Sequence, residues 1–244
     1  MRRIRLDTLL MERGLVRDKD ETFIVVTEGR VLVDGQKAIS PAARVAPDAT
    51  IEVRSPQLYV GRGAYKLEAA LDRFGVTVAG KICADVGAAI GGFTEVLLLR
   101  GARRIYTIDT ARGKLAWKLR QDPRVVVMEG KDIRAIAALP ELLEIISIDV
   151  SLVSLREILP AVEKLIAPNG IVVTLLKPQY ETRDQKMLYH GVVKRREDRE
   201  ALRDEIIAWA RENGWLPEEW MESPIRGAKG NVEYLVSMKL NEKR

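Results

Sequence analysis

The sequence has little cysteine, little histidine and no long apolar segment. Its one cysteine, Cys83, lies in an apolar stretch, so an internal disulfide is impossible and we expect a core thiol. Its one histidine, His190, has no companion at metal-ligand spacing, and we expect no metal site. No 18 apolar residues run together, and no apolar segment follows the first arginines. We therefore expect neither a membrane span nor a signal peptide. We expect the protein to be cytoplasmic.

The composition is that of an ordinary folded protein. The chain has 244 residues, of which 47% are hydrophobic and 31% are charged, and its formal net charge is +5. This length suffices for one large domain and one small domain. The positive charge favours an anionic partner.

The stretch Lys81–Thr94 predicts the first strand, turn and helix of a doubly wound α/β sheet. Apolar residues on both sides of Asp85 indicate a buried parallel strand, and a helix is predicted over residues 93–100. The glycines of the turn are Gly87, Gly91 and Gly92. In such folds a ligand lies beyond the carboxyl ends of the strands, where glycines permit close approach to the backbone.

The spacing of these glycines argues against a dinucleotide. The pattern is G-x-x-x-G-G, with Ala89 where a pyrophosphate site needs its middle glycine. S-adenosylmethionine has no pyrophosphate, and an acid two residues before the first glycine suits it. The alternative is a structural turn in another kind of α/β protein.

Later strands of the predicted Rossmann-like sheet also end in charged residues. Asp109 ends the second strand, 22 positions after Gly87, where an acid accepts hydrogen bonds from ribose hydroxyls. Asp132 follows the third strand and is a candidate acceptor for the adenine amino group. For both, the alternative is a helix N-cap. The predicted cofactor contacts are Asp85, Gly87, Ala88, Gly91, Gly92, Phe93, Thr94, Asp109 and Asp132.

The fourth and fifth strands deliver Asp149 and Lys177 to the same edge. The fifth strand is predicted over residues 171–181, after a helix that stops at Pro168. The last strand is predicted to start at Asn231 and to carry Glu233.

Residues 1–54 form a separate module in this interpretation. Two helices are predicted, the second starting near Asp20 with Phe23 and Ile24 on one side, followed by a hairpin at Asp34-Gly35. Ser55-Pro56 then interrupts the chain. We expect a small α+β domain over 1–54, a linker over 55–62 and the enzyme domain over 63–244.

The module resembles the small RNA-binding domain of the fourth small-subunit ribosomal protein. That family's pattern, R-L-D-x-L-L and later I-x-x-G-x-V-x-V-[ND]-G, is matched at 5–10 and 26–35, and the chain departs from it at 17–18 and 21–22. The resemblance implies RNA binding by this module. The alternative is a helical cap on the enzyme domain.

Residues 58–240 resemble the FtsJ-type ribose methyltransferases, and the whole chain resembles the TlyA family. The motifs are R-L-D-x-L-L at 5–10, R-G-x-x-K-L at 62–67, D-V-G-x-x-x-G-G-F-T at 85–94, L-A-W-K-L-R at 115–120, D-x-S at 149–151 and K-P-Q-Y-E at 177–181. The chain departs from the family at 88–90 and 108–112. The resemblance implies S-adenosylmethionine as cofactor, a cytidine ribose in ribosomal RNA as substrate, and a catalytic tetrad of Lys66, Asp149, Lys177 and Glu233.

The chemistry of ribose methylation fits two lysines and two acids. A 2′-hydroxyl is a weak nucleophile, so its proton must be removed or its oxygen polarised. A lysine can do this when burial and a neighbouring cation lower its pKa. We expect Lys177 to be the base or alkoxide stabiliser and Lys66 the second cation, with Asp149 and Glu233 orienting them. The alternative is a surface cluster of ion pairs.

Positions 100–120 carry seven cations, one acid and Trp117, which favours an RNA track. The alternative is a solvated helix face with Trp117 in the core. The predicted RNA contacts are Arg5, Arg62, Arg112, Lys114 and Lys118. The partner is ribosomal RNA or a ribosomal subunit. The oligomeric state stays open.

Two other functions compete with this interpretation. A membrane-acting haemolysin would need a span or a strongly amphipathic surface helix, and the sequence shows neither convincingly. A non-catalytic RNA-binding protein could keep the fold and lose the cofactor, which the departure at 88–90 leaves open.

Overall fold

A computed structural model describes residues 3–54 and 58–241. The chain divides into two compact units, Met1–Leu58 and Tyr59–Arg244. Each unit has a hydrophobic core of its own. Ser55 and Pro56, which we expected in the linker, lie outside the described residues.

The first unit combines two short helices with small antiparallel sheets. Its elements are β1 (Ile4–Arg5), α1 (Leu6–Glu12), α2 (Lys19–Thr27), β2 (Val31–Val33), β3 (Gln36–Lys37), β4 (Arg44–Val45) and β5 (Ile51–Val53). The strands pair as β3-β2-β5 and as β1-β4. Asp34 and Gly35 both have positive φ, at 49° and 79°, so they form the two-residue hairpin turn that the sequence indicates.

Helix α2 has an N-cap residue at its start. Its buried side does not include Phe23 and Ile24. The Asp18 carboxylate accepts a hydrogen bond from the backbone N–H of Glu21 at 2.7 Å, which satisfies a donor of the first turn. Thr22 and two valines are buried, whereas Phe23 is 62% and Ile24 52% exposed. The valines pack with α1 and β2 in the core of this unit.

The second unit is a layered α/β structure. Its helices are α3 (Ala64–Arg73), α4 (Gly92–Leu99), α5 (Trp117–Arg120), α6 (Leu155–Val162), α7 (Pro178–Glu181) and α8 (Arg196–Glu212). Its strands are β6 (Ile82–Val86), β7 (Arg104–Asp109), β8 (Val125–Glu129), β9 (Leu143–Ile148), β10 (Ile166–Leu176), β11 (Leu188–Tyr189), β12 (Val192–Val193), β13 (Trp215–Glu222) and β14 (Tyr234–Leu240). Single 3-10 turns span Ile133–Ala135, Gln185–Met187 and Ala228–Gly230.

Seven of these strands form one sheet in the order β13-β14-β10-β9-β6-β7-β8. The pairs from β10 to β8 are parallel, and β14 runs antiparallel to β10 and to β13. Apolar clusters cover both faces, and β6 is buried along its whole length, as expected of a central parallel strand. The predicted α/β, Rossmann-like class is therefore confirmed.

Several boundaries differ from the sequence predictions. Helix α6 ends at Val162 and β10 already starts at Ile166, so residues 166–170 belong to the sheet and not to the end of a helix. Pro178–Glu181 is helical because proline suits a first helical turn. Glu233 precedes β14 and does not lie within it.

The described residues contain no helix that is both long enough and apolar enough to cross a membrane.

Candidate active site

The charged residues singled out from the sequence meet at one edge of the large sheet. Strands β6 to β10 are parallel, so their carboxyl ends share that edge. Strand β14 is antiparallel and begins there. Leu176 of β10 pairs with Tyr234 of β14, which places Lys177 and Glu233 side by side just beyond the pairing.

The glycine loop after β6 lies directly against the end of β9. The N–H of Asp149 donates to the carbonyl of Val86 at 2.9 Å. Gly87 has a φ of 86°, and a β-carbon there would overlap the carbonyl oxygen of Asp149. Only glycine fits this conformation and this contact, so Gly87 brings the loop and Asp149 together.

Asp85 is a buried carboxyl with one satisfied oxygen. Its Oδ2 accepts hydrogen bonds from the Thr94 backbone N–H at 2.8 Å and from the Thr94 hydroxyl at 2.6 Å, which join β6 to α4. Its Oδ1 is buried and has no hydrogen-bond partner among the described residues. Burial raises the pKa of Asp85 to about 7, against the lowering effect of Thr94.

Asp109 holds the glycine loop as well as the next loop. Its carboxylate accepts hydrogen bonds from the backbone N–H groups of Ala89 and Ala111, both at 2.7 Å. Ala89 has a positive φ of 48°, which is unusual for a residue with a β-carbon, and the hydrogen bond that its N–H donates to Asp109 stabilises that conformation. The predicted role of Asp109 toward a ribose stays a prediction.

Asp132 has the geometry of the N-cap that the sequence left open. Its carboxylate accepts from the backbone N–H of Arg134 at 2.9 Å and pairs with the Arg134 guanidinium at 2.7 Å, which lowers the pKa of Asp132. Asp132 also lines a cavity at this edge of the sheet. Its contact with adenine stays a prediction.

Lys66 and Glu233 form a buried ion pair. Their Nζ and Oε2 atoms are 2.5 Å apart, and the residues are 7% and 3% exposed. Lys66 lies in the first turn of α3, and Glu233 lies just before β14. A β-carbon at Gly227 would overlap the Glu233 carboxylate, so Gly227 leaves the room that this pair requires.

Lys177 and Asp149 form a second pair. Lys177 Nζ lies 2.6 Å from Asp149 Oδ1 and donates to the Ser151 hydroxyl at 3.1 Å. Lys177 is 8% exposed, whereas the Asp149 side chain is 23% exposed and faces the cavities. The structure therefore brings all four residues of the predicted tetrad to one edge of the sheet, as two lysine-carboxylate pairs.

Two cavities meet at Gly87, Ala89 and Asp149. One, of about 240 Å³, is also lined by Asp109, Asp132 and Ser151. The other, of about 140 Å³, is also lined by Arg62, Gly63, Asp85 and Phe93. An elongated ligand that fills both would pass Asp149, the carboxylate paired with Lys177.

Sequence reasoning missed two carboxylates that support this edge. Glu95 accepts from the backbone N–H of Val60 at 2.5 Å and from the Lys118 ammonium. Glu129 accepts from the backbone N–H groups of residues 113–115 and from Arg120, which together lower the pKa of Glu129 to about 2. Their partners lie 9 to 35 positions away, so no local pattern reveals them.

Several residues that were predicted to contact RNA form ion pairs with carboxylates of the protein. Lys118 pairs with Glu95, and in the first unit Arg5 pairs with Asp7 at 2.6 Å. Of the seven cations at 100–120, five are paired with a carboxylate: Arg100, Arg103, Arg104, Lys118 and Arg120. For Arg112 and Lys114 no ion pair is found within the described residues, and Arg62 lines the smaller cavity. Trp117 is 74% exposed, so the alternative that placed it in the core is wrong.

Fold and site together define an α/β protein with two cavities at the carboxyl ends of its adjacent parallel strands. Residues 59–240 match the FtsJ-like methyltransferase family. Over its whole length the chain is 38% identical to the 16S/23S rRNA (cytidine-2′-O)-methyltransferase TlyA of Mycobacterium tuberculosis, of which the match covers 92%. The chain therefore belongs to the FtsJ-like methyltransferases and, within them, to the TlyA family, which confirms the resemblance carried by the motifs.

Two further comparisons cover the chain and a 50-residue part of it. The solved structure of a candidate hemolysin from Streptococcus thermophilus has a TM-score of 0.76 and 34% identity, covering 99% of this chain and 90% of that one. Small ribosomal subunit protein uS4 of Geobacillus thermodenitrificans is 44% identical over 50 residues, which are 20% of this chain and 25% of that protein.

The raised pKa of Asp85 predicts a pH dependence of stability. The folded state holds the Asp85 proton more tightly than the unfolded chain, whose carboxyl has a pKa near 4. This contribution is fully present below about pH 4 and is lost as pH rises through about 7. We expect Asp85→Asn, which stays neutral, to gain stability relative to the wild type across that window.

Urea unfolding of both proteins at several pH values between 4 and 8 measures this difference. A free-energy difference between Asp85→Asn and wild type that stays constant over the window would contradict the raised pKa.

Proposed function

We propose that this protein transfers a methyl group from S-adenosylmethionine to the 2′-oxygen of a cytidine in ribosomal RNA. The observation that carries the proposal is the juxtaposition of two lysine-carboxylate pairs beside the glycine loop. The name of the M. tuberculosis relative, matched over the whole chain, supports the choice of reaction and substrate.

The two cavities suit the parts of S-adenosylmethionine. In the larger cavity, Asp109 would accept hydrogen bonds from the ribose hydroxyls, and Asp132 would accept one from the adenine amino group. In the smaller one, the unpartnered Oδ1 of Asp85 would accept from the ammonium of the methionine part. A buried carboxylate oxygen without a hydrogen-bond partner, beside a cavity, suits a cationic ligand. The residues that line the two cavities therefore fit S-adenosylmethionine.

When bound, S-adenosylmethionine supplies an electrophilic methyl group on its sulfonium. The protein has to place the 2′-hydroxyl in line with that methyl and handle its proton. Lys177 either takes that proton as a neutral amine or, as the ammonium that its pair with Asp149 implies, donates a hydrogen bond to the oxygen and stabilises the negative charge that develops on it. Asp149 and Ser151 fix the position of its amine, because both lie within hydrogen-bond distance.

Lys66 and Glu233 form the second half of the site. The Lys66 ammonium adds positive charge beside the reacting oxygen, and its carboxylate partner offsets the cost of burying that charge. Glu233 lies next to Lys177 beyond the last paired residues of β10 and β14, so each carboxylate also limits the repulsion between the two lysines.

We propose that the first unit binds RNA, because it carries the ribosomal-protein pattern at 5–10 and 26–35 and because 50 residues of the chain are 44% identical to uS4. We keep residues 1–54 as this domain, 55–62 as the linker and 63–244 as the catalytic domain. Residues 59–62 of this linker belong to the second compact unit, where the backbone N–H of Val60 donates to the Glu95 carboxylate.

The cofactor assignment predicts that Asp109→Ala weakens S-adenosylmethionine binding about 10- to 100-fold, since charge-assisted hydrogen bonds contribute about 1.5–3 kcal/mol. The loss of the bond to Ala89 adds to this by freeing the glycine loop. Isothermal calorimetry measures the affinity. Asp122→Ala is the matched control, because Asp122 also accepts a backbone N–H, that of Arg124, but precedes β8 at the opposite edge of the sheet. Unchanged affinity in a folded Asp109→Ala protein would remove Asp109 from the site.

The catalytic assignment predicts that Lys177→Met lowers turnover by a factor on the order of 10² to 10⁴, the usual contribution of a positioned acid-base group. Methionine keeps the bulk of the side chain and loses the amine. S-adenosylmethionine affinity should change little, because the amine is aimed at the RNA hydroxyl. Transfer of labelled methyl to undermodified ribosomal RNA gives the rate.

Lys164→Met is the control for this substitution, since Lys164 is exposed and precedes β10 at the amino edge of the sheet. A folded Lys177→Met protein that binds cofactor and methylates at the wild-type rate would contradict the role of Lys177.

A further inference from the structure

Between α7 and α8 the chain forms a small antiparallel ribbon that the proposed chemistry leaves unused. In this ribbon, β11 pairs with β12, Leu188 opposite Val193 and Tyr189 opposite Val192. His190 and Gly191 have φ values of 51° and 81°, so they form a type I′ turn that fixes the register. Val193 is 1% exposed, and β12 packs on α7 and α8, which anchors the ribbon to the second unit.

The chain around the ribbon is strongly basic. Residues 183–196 contain one carboxylate, Asp184, against five exposed cations: Arg183, Lys186, Lys194, Arg195 and Arg196. Arg195 and Arg196 pair with acids of α8. For the other three no ion pair is found among residues 3–54 and 58–241, so their charge is available to an anionic partner.

An exposed aromatic ring lies among these cations. Tyr189 is 57% exposed. Lys194 Nζ lies 3.5 Å from the centroid of its ring, and the His190 ring meets it edge-on at 4.4 Å. Proteins that bind single-stranded nucleic acid stack bases on such rings and hold the phosphates with neighbouring cations.

The loop of residues 227–231 contacts both the turn of the ribbon and Glu233 of the Lys66-Glu233 pair. The Lys229 ammonium donates to the carbonyl of His190 at 3.4 Å, and the Asn231 amide donates to that of Gly191 at 3.1 Å. The same loop contains Gly227, which packs against the Glu233 carboxylate. A strand of RNA on the ribbon would therefore enter the candidate active site from the side of Glu233.

We infer that the ribbon Leu188–Val193 binds the single-stranded RNA that flanks the target nucleotide. Tyr189 stacks on a base, and Lys186 and Lys194 contact phosphates. The inference rests on the proposed function and adds a surface for the substrate outside the tetrad and outside the first unit.

The test compares variants of the full chain for binding of purified undermodified ribosomal RNA. We expect Tyr189→Ala to weaken RNA binding about 5- to 50-fold, and Tyr189→Phe to bind like wild type because it keeps the ring. Lys194→Gln should lower the slope of log affinity against log salt by about 0.7, the value for one phosphate of a single strand. S-adenosylmethionine affinity should be the same in all of them. Lys164→Gln, at the opposite edge of the sheet, is the matched charge control.

A second measurement avoids any effect of substitution on folding. Ultraviolet cross-linking of the wild-type protein to the RNA, followed by mass spectrometry, should place a cross-link within residues 188–194. Cross-links confined to other segments would overturn the inference, as would wild-type RNA affinity in Tyr189→Ala.

A lipid surface is the other anionic partner that such a ribbon could bind. Sedimentation with phosphatidylglycerol vesicles distinguishes it: loss of vesicle binding in Tyr189→Ala and Lys194→Gln, with RNA affinity unchanged, would overturn the inference. Failure of the wild-type chain to methylate ribosomal RNA would contradict the proposed function. Normal methylation and normal RNA affinity in both ribbon variants would contradict this inference alone.

Discussion

Two lysine ammonium groups lie almost out of solvent at one edge of the sheet, and the rest of the site depends on the carboxylates that hold them. A buried cation without a partner costs several kcal/mol, so each lysine needs its own acid. Lys66 has Glu233 and Lys177 has Asp149. The antiparallel addition of β14 to an otherwise parallel edge brings Glu233 into place, because β14 starts where β10 ends.

A second layer of carboxylates fixes the loops around these pairs. Asp109 holds the glycine loop through Ala89, and Glu129 holds the loop after β7 by accepting from three consecutive backbone N–H groups. The Glu95 carboxylate accepts hydrogen bonds from the backbone N–H of Val60, near the start of the second unit, and from Lys118 of α5. These acids satisfy backbone donors of the loops at the rim of the cavities and so hold those loops in place.

The strand ends could be predicted from the sequence because buried parallel strands are continuous apolar runs that stop at a charge, as at Asp109, Asp149 and Lys177. The end of α6 could not, because apolar residues continue from the helix into β10 and periodicity does not separate them. The supporting roles of Glu95 and Glu129 could not be predicted either, because their hydrogen-bond partners are distant in sequence and only the fold brings them close. The ribbon at Tyr189 was missed because two-residue strands leave no pattern, although its His-Gly turn and its cations stand in the sequence.

If the two lysine-carboxylate pairs act on a ribose oxygen, the transferred methyl group must be on the 2′-oxygen of the RNA. Undermodified ribosomal RNA is incubated with the protein and labelled S-adenosylmethionine, then hydrolysed with alkali and analysed by mass spectrometry. We expect label in a cytidine-containing dinucleotide that resists alkali, because a 2′-O-methyl group blocks cleavage at that bond. Label on a base nitrogen or carbon, in fully cleaved mononucleotides, would contradict it.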